Sequence, residues 1–153
     1  MLNFHFLCPH HRRWLSATPE AAANFSLEAY SRGLYLAERR NYLDAIKQAG
    51  AAFETSQIVV EQKTRVTAAN INCLADAGVL LAQLLYQVEE ARFARAVLAS
   101  AIARFEQLLV IGVERETVLL GCQRLLEVGK TPGAAAVNAG AHASRSQLTG
   151  QIH

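Results

Sequence analysis

Apolar and small side chains recur at alternating steps of three and four along most of this chain, and that spacing commits it to helices. Ile71, Leu74, Gly78, Leu81 and Leu85 form one such stripe; Ala91, Ala94, Leu98, Ala101, Phe105 and Leu108 form another. Only 3 prolines and 9 glycines occur, too few for an all-β sandwich full of tight turns. With 153 residues, 52% hydrophobic and 18% charged, the chain suits one domain with a core that needs no disulfide or metal staple.

Local signals place the helix ends. Thr18, Pro19 and Glu20 read as an N-cap oxygen, a proline at the first helical position and a first-turn acid, starting a helix that runs to about Arg39. Asn41 is expected to cap a second helix, from about Tyr42 to Gln62, with Asp44 in its first turn. A connection of one or two residues folds these two back as an antiparallel hairpin. A third helix begins after Thr64 or Thr67 and runs to about Tyr86. Gln87 to Glu89 make a break, and Glu89 and Glu90 fall in the first turn of a fourth helix that ends at Gly112. A fifth, from about Glu114 to Val128, carries Val118, Cys122, Leu125 and Leu126 and is stopped by Gly129 and Pro132.

The two ends differ from this body. Residues 1–18 hold Phe4, Phe6 and Trp14 among His5, His10, His11, Arg12 and Arg13. Pro9 interrupts any continuous helix there, so an extended arm is expected, its aromatic residues docked on the domain. Residues 19–130 make the helical domain. Residues 131–153 are rich in Ala, Gly, Ser and Asn and carry no acid, which reads as a flexible tail.

A net charge of +2 does not by itself point to nucleic acid. Arg12, Arg13, Arg39, Arg40, Lys63 and Arg65 are scattered, with Glu38 and Glu61 among them, so no nucleic-acid partner is expected. Three cysteines, Cys8, Cys73 and Cys122, are odd in number and far apart, which suits a reducing compartment. The short apolar run from Met1 to Leu7 precedes its basic residues, the reverse of a secretory signal, and no window reaches the roughly 18 uninterrupted apolar residues of a membrane span. A cytoplasmic protein without membrane attachment is the expectation.

The two hairpins resemble each other. Ala29, Gly33, Leu36, Tyr42, Ala45, Ala49 and Ala52 in the first answer to Leu74, Gly78, Ala82, Leu85, Ala91, Ala94, Leu98 and Ala101 in the second, with small residues where paired helices would cross closely. The pattern resembles the tetratricopeptide repeat, best over Leu27 to Ser56 and over about half the chain. Gly33 matches the small residue of that repeat's first helix; Tyr42, Ala45, Ala49 and Ala52 match the aromatic-and-small series of its second. Arg32 departs from the usual large apolar residue, and no proline closes the hairpin near Gln57. Ala45 and Ala94 lie 49 residues apart, against a usual period of about 34, so the second helix of the first hairpin, or the loop after it, should be unusually long. The resemblance implies an all-α stack of five helices, two antiparallel hairpins with the last helix as cap; an up-and-down bundle is the alternative. It also implies a binding face carried by the first helix of each pair: Leu27, Tyr30, Leu34 and Ala37, with Asp76, Val79, Gln83 and Tyr86.

Reactive chemistry is sparse. His5, Cys8, His10 and His11 bear zinc-type ligands, but adjacent His10 and His11 diverge on an extended chain and no second ligand pair exists. Cys73 and Cys122 lie on apolar helical faces, and Cys8 with His10 or His11 has no orienting acid. No nucleophile elbow, phosphate-binding loop or metalloprotease motif occurs. Neither an enzyme nor a bound cofactor is expected. The leading expectation is a protein–protein interaction module, an adaptor or small chaperone that takes a partner helix or peptide. Small bacterial helical-repeat chaperones are similar to it in size. The alternative is a structural or regulatory homodimer, joined through the alanine- and leucine-rich faces of the third and fourth helices, with a metal-binding N-terminal arm.

Overall fold

The computed structural model describes residues 5–62 and 66–130. They form six helices and no strand: α1 (Pro9–Ala17), α2 (Pro19–Glu38), α3 (Tyr42–Glu61), α4 (Ala68–Gln87), α5 (Ala91–Ile111) and α6 (Arg115–Lys130). The all-α class is as expected. The count is one higher, because residues 9–17 are helical where an extended arm was expected. Pro9 is the reason. It occupies the first turn, where its missing N–H costs nothing, and so starts a helix instead of breaking one. The expected tail, Thr64 and residues 1–4 lie outside the described residues.

The helix ends show which local signals act. Thr67 accepts a hydrogen bond from the Asn70 N–H (3.2 Å) and caps α4. Thr18 does not cap α2: its hydroxyl donates back to the Trp14 carbonyl (2.7 Å) and closes α1. Asn41 makes no cap bond to backbone either, and its amide instead donates to Asp44 Oδ2 at 2.9 Å. Glu89 and Glu90 precede α5, with Glu90 at its N-cap position. Gly112, at φ 84°, ends α5 in the left-handed state that glycine adopts freely. Gly129 does not stop α6, which continues to Lys130.

Helices α2 and α4 sit in the same register 49 residues apart, and so do α3 and α5 at their starts. The long period comes from both helices of the first pair, each 20 residues, with no single outsized element. The two tight turns match bond for bond. Asn41 N–H donates to Leu36 O (3.0 Å) as Glu90 N–H does to Leu85 O (2.8 Å), and Arg40 N–H to Ala37 O (3.0 Å) as Glu89 N–H does to Tyr86 O (3.1 Å). Burial follows the same register: Ala29 and Gly78, Gly33 and Ala82, Ala45 and Ala94, Ala52 and Ala101 are buried pairwise.

Packing is less simply paired than two isolated hairpins. α2 packs most closely on α3, but α4 is shared: it meets α3 more extensively than α5, and it also touches α2 and α6. Small residues permit this. A β-carbon on Gly33 would stand 3.3 Å from the Ala49 nitrogen, and one on Gly121 would stand 2.6 Å from the Phe105 ring. Ile71, Leu74, Leu81, Leu85, Phe105 and Leu125 are the large side chains at the centre of the core. By length and composition α4 would suffice to cross a membrane, but 56% of that stretch is buried inside the fold, where contact with four helices accounts for its apolarity. The faces of α4 and α5 proposed for self-association, with Leu74, Leu81, Leu85, Ala94, Leu98 and Ala101, are consumed by this core.

Candidate functional site

α4 packs against both α2 and α6, and the side on which α4 meets these two is the front face. α3 and α5 are tied by Gln57 Nε2 donating to Ser100 Oγ (2.9 Å) and by Arg104 against Glu61 (2.8 Å).

The eight residues expected to line the front face divide into two kinds. Leu27 is 51% exposed, and Asp76 and Gln83 are half-buried. Tyr30, Leu34, Ala37, Val79 and Tyr86 are partly buried and pack against the main core. They serve as both face and core, so a groove made wholly of free side chains is not what the helices build. Tyr30 and Asp76 are brought together, and α6 adds a residue absent from the expectation. Arg124 Nη1 meets Asp76 Oδ1 at 2.7 Å, both side chains remaining in part exposed. Leu120, one turn earlier on α6, is 56% exposed. The face thus reads Leu27 and Tyr30, then Asp76, then Arg124 and Leu120, across three helices. Nothing in the sequence singled out Arg124 among 15 Lys+Arg residues.

Burial raises the Tyr30 phenol above its ordinary value, the Asp76 carboxylate adds to that, and the Arg124 guanidinium opposes it. The Cys73 thiol is raised by burial and by Asp76, and the Cys122 thiol by burial and by Glu106. Raised thiols stay protonated near neutral pH and are poor nucleophiles. A recess lined by Ala23, Ser26, Ser56, Val59, Asn70 and Cys73 has room for about one water molecule, too little for a small-molecule substrate.

The N-terminal Cys and His residues are engaged separately. Arg12 Nη2 lies 3.0 Å from His5 Nδ1. Cys8 Sγ accepts from the His11 N–H (3.4 Å) as the cap of α1. The His11 ring stands between Trp14 and Phe25, with centroids 6.0 and 5.5 Å away. His10 is exposed. Among the described residues, no three His, Cys, Asp or Glu side chains gather as a metal site.

Sequence reasoning also missed the strongest polar contact of this end. Glu54 is buried on α3. Its Oε2 takes the Arg12 guanidinium at 2.8 Å, and its Oε1 accepts the Phe6 N–H. The one available signal was a lone acid in a stretch, Ala51 to Val60, that is otherwise uncharged. Comparison with protein-family models, curated proteins and solved structures gives no match to this chain.

Proposed function

We propose that the protein is a non-enzymatic interaction module, an adaptor or small chaperone, whose α2–α4–α6 face takes a helix or extended peptide of a partner protein. The observation that carries this reading is the set of Leu27, Tyr30, Asp76, Arg124 and Leu120, an ion pair joining α4 to α6 with exposed leucines on α2 and α6. Apolar anchors beside oriented charges are what a peptide-binding surface needs. The matching turns and burial of its two helix pairs support a helical-repeat stack with α6 as cap, its 49-residue period being longer than that of the tetratricopeptide repeat. A cytoplasmic setting, with no membrane or nucleic-acid partner, belongs to the same proposal.

The test is photo-crosslinking from the face in the native host. Crosslinkers placed at Leu27, Gln83 and Leu120 should capture one protein, and Leu43, 70% exposed on α3, serves as control. The expected capture is specific to the face and is lost in Leu27→Glu. Equal capture at Leu43, or none at the face, would end this reading.

A second reading is a homodimer. It is favoured by Val110 (89% exposed), Ile111 (61%), Leu119 and Leu126, exposed apolar residues of α5 and α6. It requires twice the one-chain mass in sedimentation, lowered by Val110→Asp with Leu126→Asp.

A further inference from the structure

We propose that residues 5–17 form a strap that opens as a unit of its own from an intact α2–α6 body, with Glu54 as the clasp that holds it shut. The strap rests chiefly on α2 and α3. It closes a small core of its own, in which Leu7 and Leu15 cover Ala22, Ile58 and Val59, while Phe6 packs against the main core. Two contacts fix it. The Phe6 ring lies over Gly50, where any β-carbon would overlap it. One turn later Glu54, its side chain 7% exposed, receives both the Arg12 guanidinium and the Phe6 N–H. A buried carboxylate is tolerable only while its oxygens are so occupied.

Opening does not strand that charge. Arg12 and Glu54 return to water together, so the clasp is lost as one event and leaves no unpaired ion inside. The repeat indicates that the body tolerates the loss. The positions 49 residues beyond Gly50, Glu54 and Ile58 are Ala99, Ala103 and Gln107, all exposed, so α5 stands in the fold with no such cover. Segments with few contacts of their own open well below the global unfolding free energy.

Hydrogen exchange of the full chain tests this, with tryptic cleavage after exposed Arg13 as a second readout. In the wild type, amides of α1 should exchange faster than those of α3 to α5. Glu54→Gln and Gly50→Ala strike the clasp and the ring seat independently. Each should accelerate α1 exchange and Arg13 cleavage by about 10-fold or more, with α4 and α5 changed by less than about 2-fold. Arg12→Gln leaves α3 untouched and should act in the same direction. Combined with Glu54→Gln, it should add little beyond either single change. One common exchange rate for α1 and α3 in the wild type would overturn the proposal. So would acceleration of all helices together, or no change in either single variant at Glu54 or Gly50.

Discussion

Arg40 and Glu89 stand 49 residues apart in the same left-handed backbone state, with φ of 60° and 63°. Each occupies the middle of a three-residue turn whose hydrogen bonds repeat from one helix pair to the next. Non-glycine residues there carry strain of about 1 kcal/mol or more. Arg40→Gly and Glu89→Gly should therefore each stabilise the fold, by about 0.5–1 kcal/mol after glycine's entropy cost. Gly112→Ala, at φ 84°, should destabilise by about 1 kcal/mol. Thermal unfolding followed by circular dichroism checks all three, and loss of stability in the two glycine variants would contradict the strain argument.

Phe105 is fully buried and its ring fills the space left by Gly121 across the α5–α6 contact. Phe105→Ala should cost about 3–5 kcal/mol. Gly121→Ala should cost about 1–3 kcal/mol through overpacking. Denaturant titration of both measures this, and a neutral Gly121→Ala would mean that the ring moves aside freely.

Alkaline pH should weaken the fold. The Tyr30 phenol and the Cys73 and Cys122 thiols are all raised on folding, so the native state holds their protons more tightly than the unfolded chain does. Their stabilising effect is full below the ordinary thiol and phenol values of 9.0 and 10.0, and it is lost as pH rises through the folded values. Unfolding free energy measured from pH 7 to 11 should fall above about pH 9. Cys73→Ala and Tyr30→Phe should each flatten part of that slope.

The Asp76–Arg124 pair separates binding from stability. Both side chains are partly exposed, so breaking the pair should cost under about 1 kcal/mol. Arg124→Glu should leave helical content intact and still abolish partner crosslinking from Leu27. Retained crosslinking would remove the ion pair from the interface.

Much of the helical body was legible in its spacing. The starts of α2, α3 and α4 and the stop at Gly112 fall where local signals place them, although of the three cap side chains only Thr67 makes its bond. The failures share a cause. Pro9 permits a helix start as readily as it forbids a helix interior, and only the seat on α2 and α3 decides which. The Thr18 hydroxyl is turned back to donate to the Trp14 carbonyl and makes no cap bond to α2. The meeting of Arg124 with Asp76, and of Arg12 with Glu54, joins residues 48 and 42 positions apart, a relation set by how helices stack and invisible to periodicity.

The Arg12–Glu54 clasp also fixes an order of events during synthesis. Residues 5–17 are made before their seat, since Gly50 and Glu54 follow some forty residues later. The α2–α3 pair closes through contacts near in sequence and assembles quickly, whereas the strap spans a longer loop. On the ribosome, Leu7 and Leu15 are therefore bare until α3 has emerged. The strap is thus translated well before the surface that holds it, and its two leucines wait for cover through that interval.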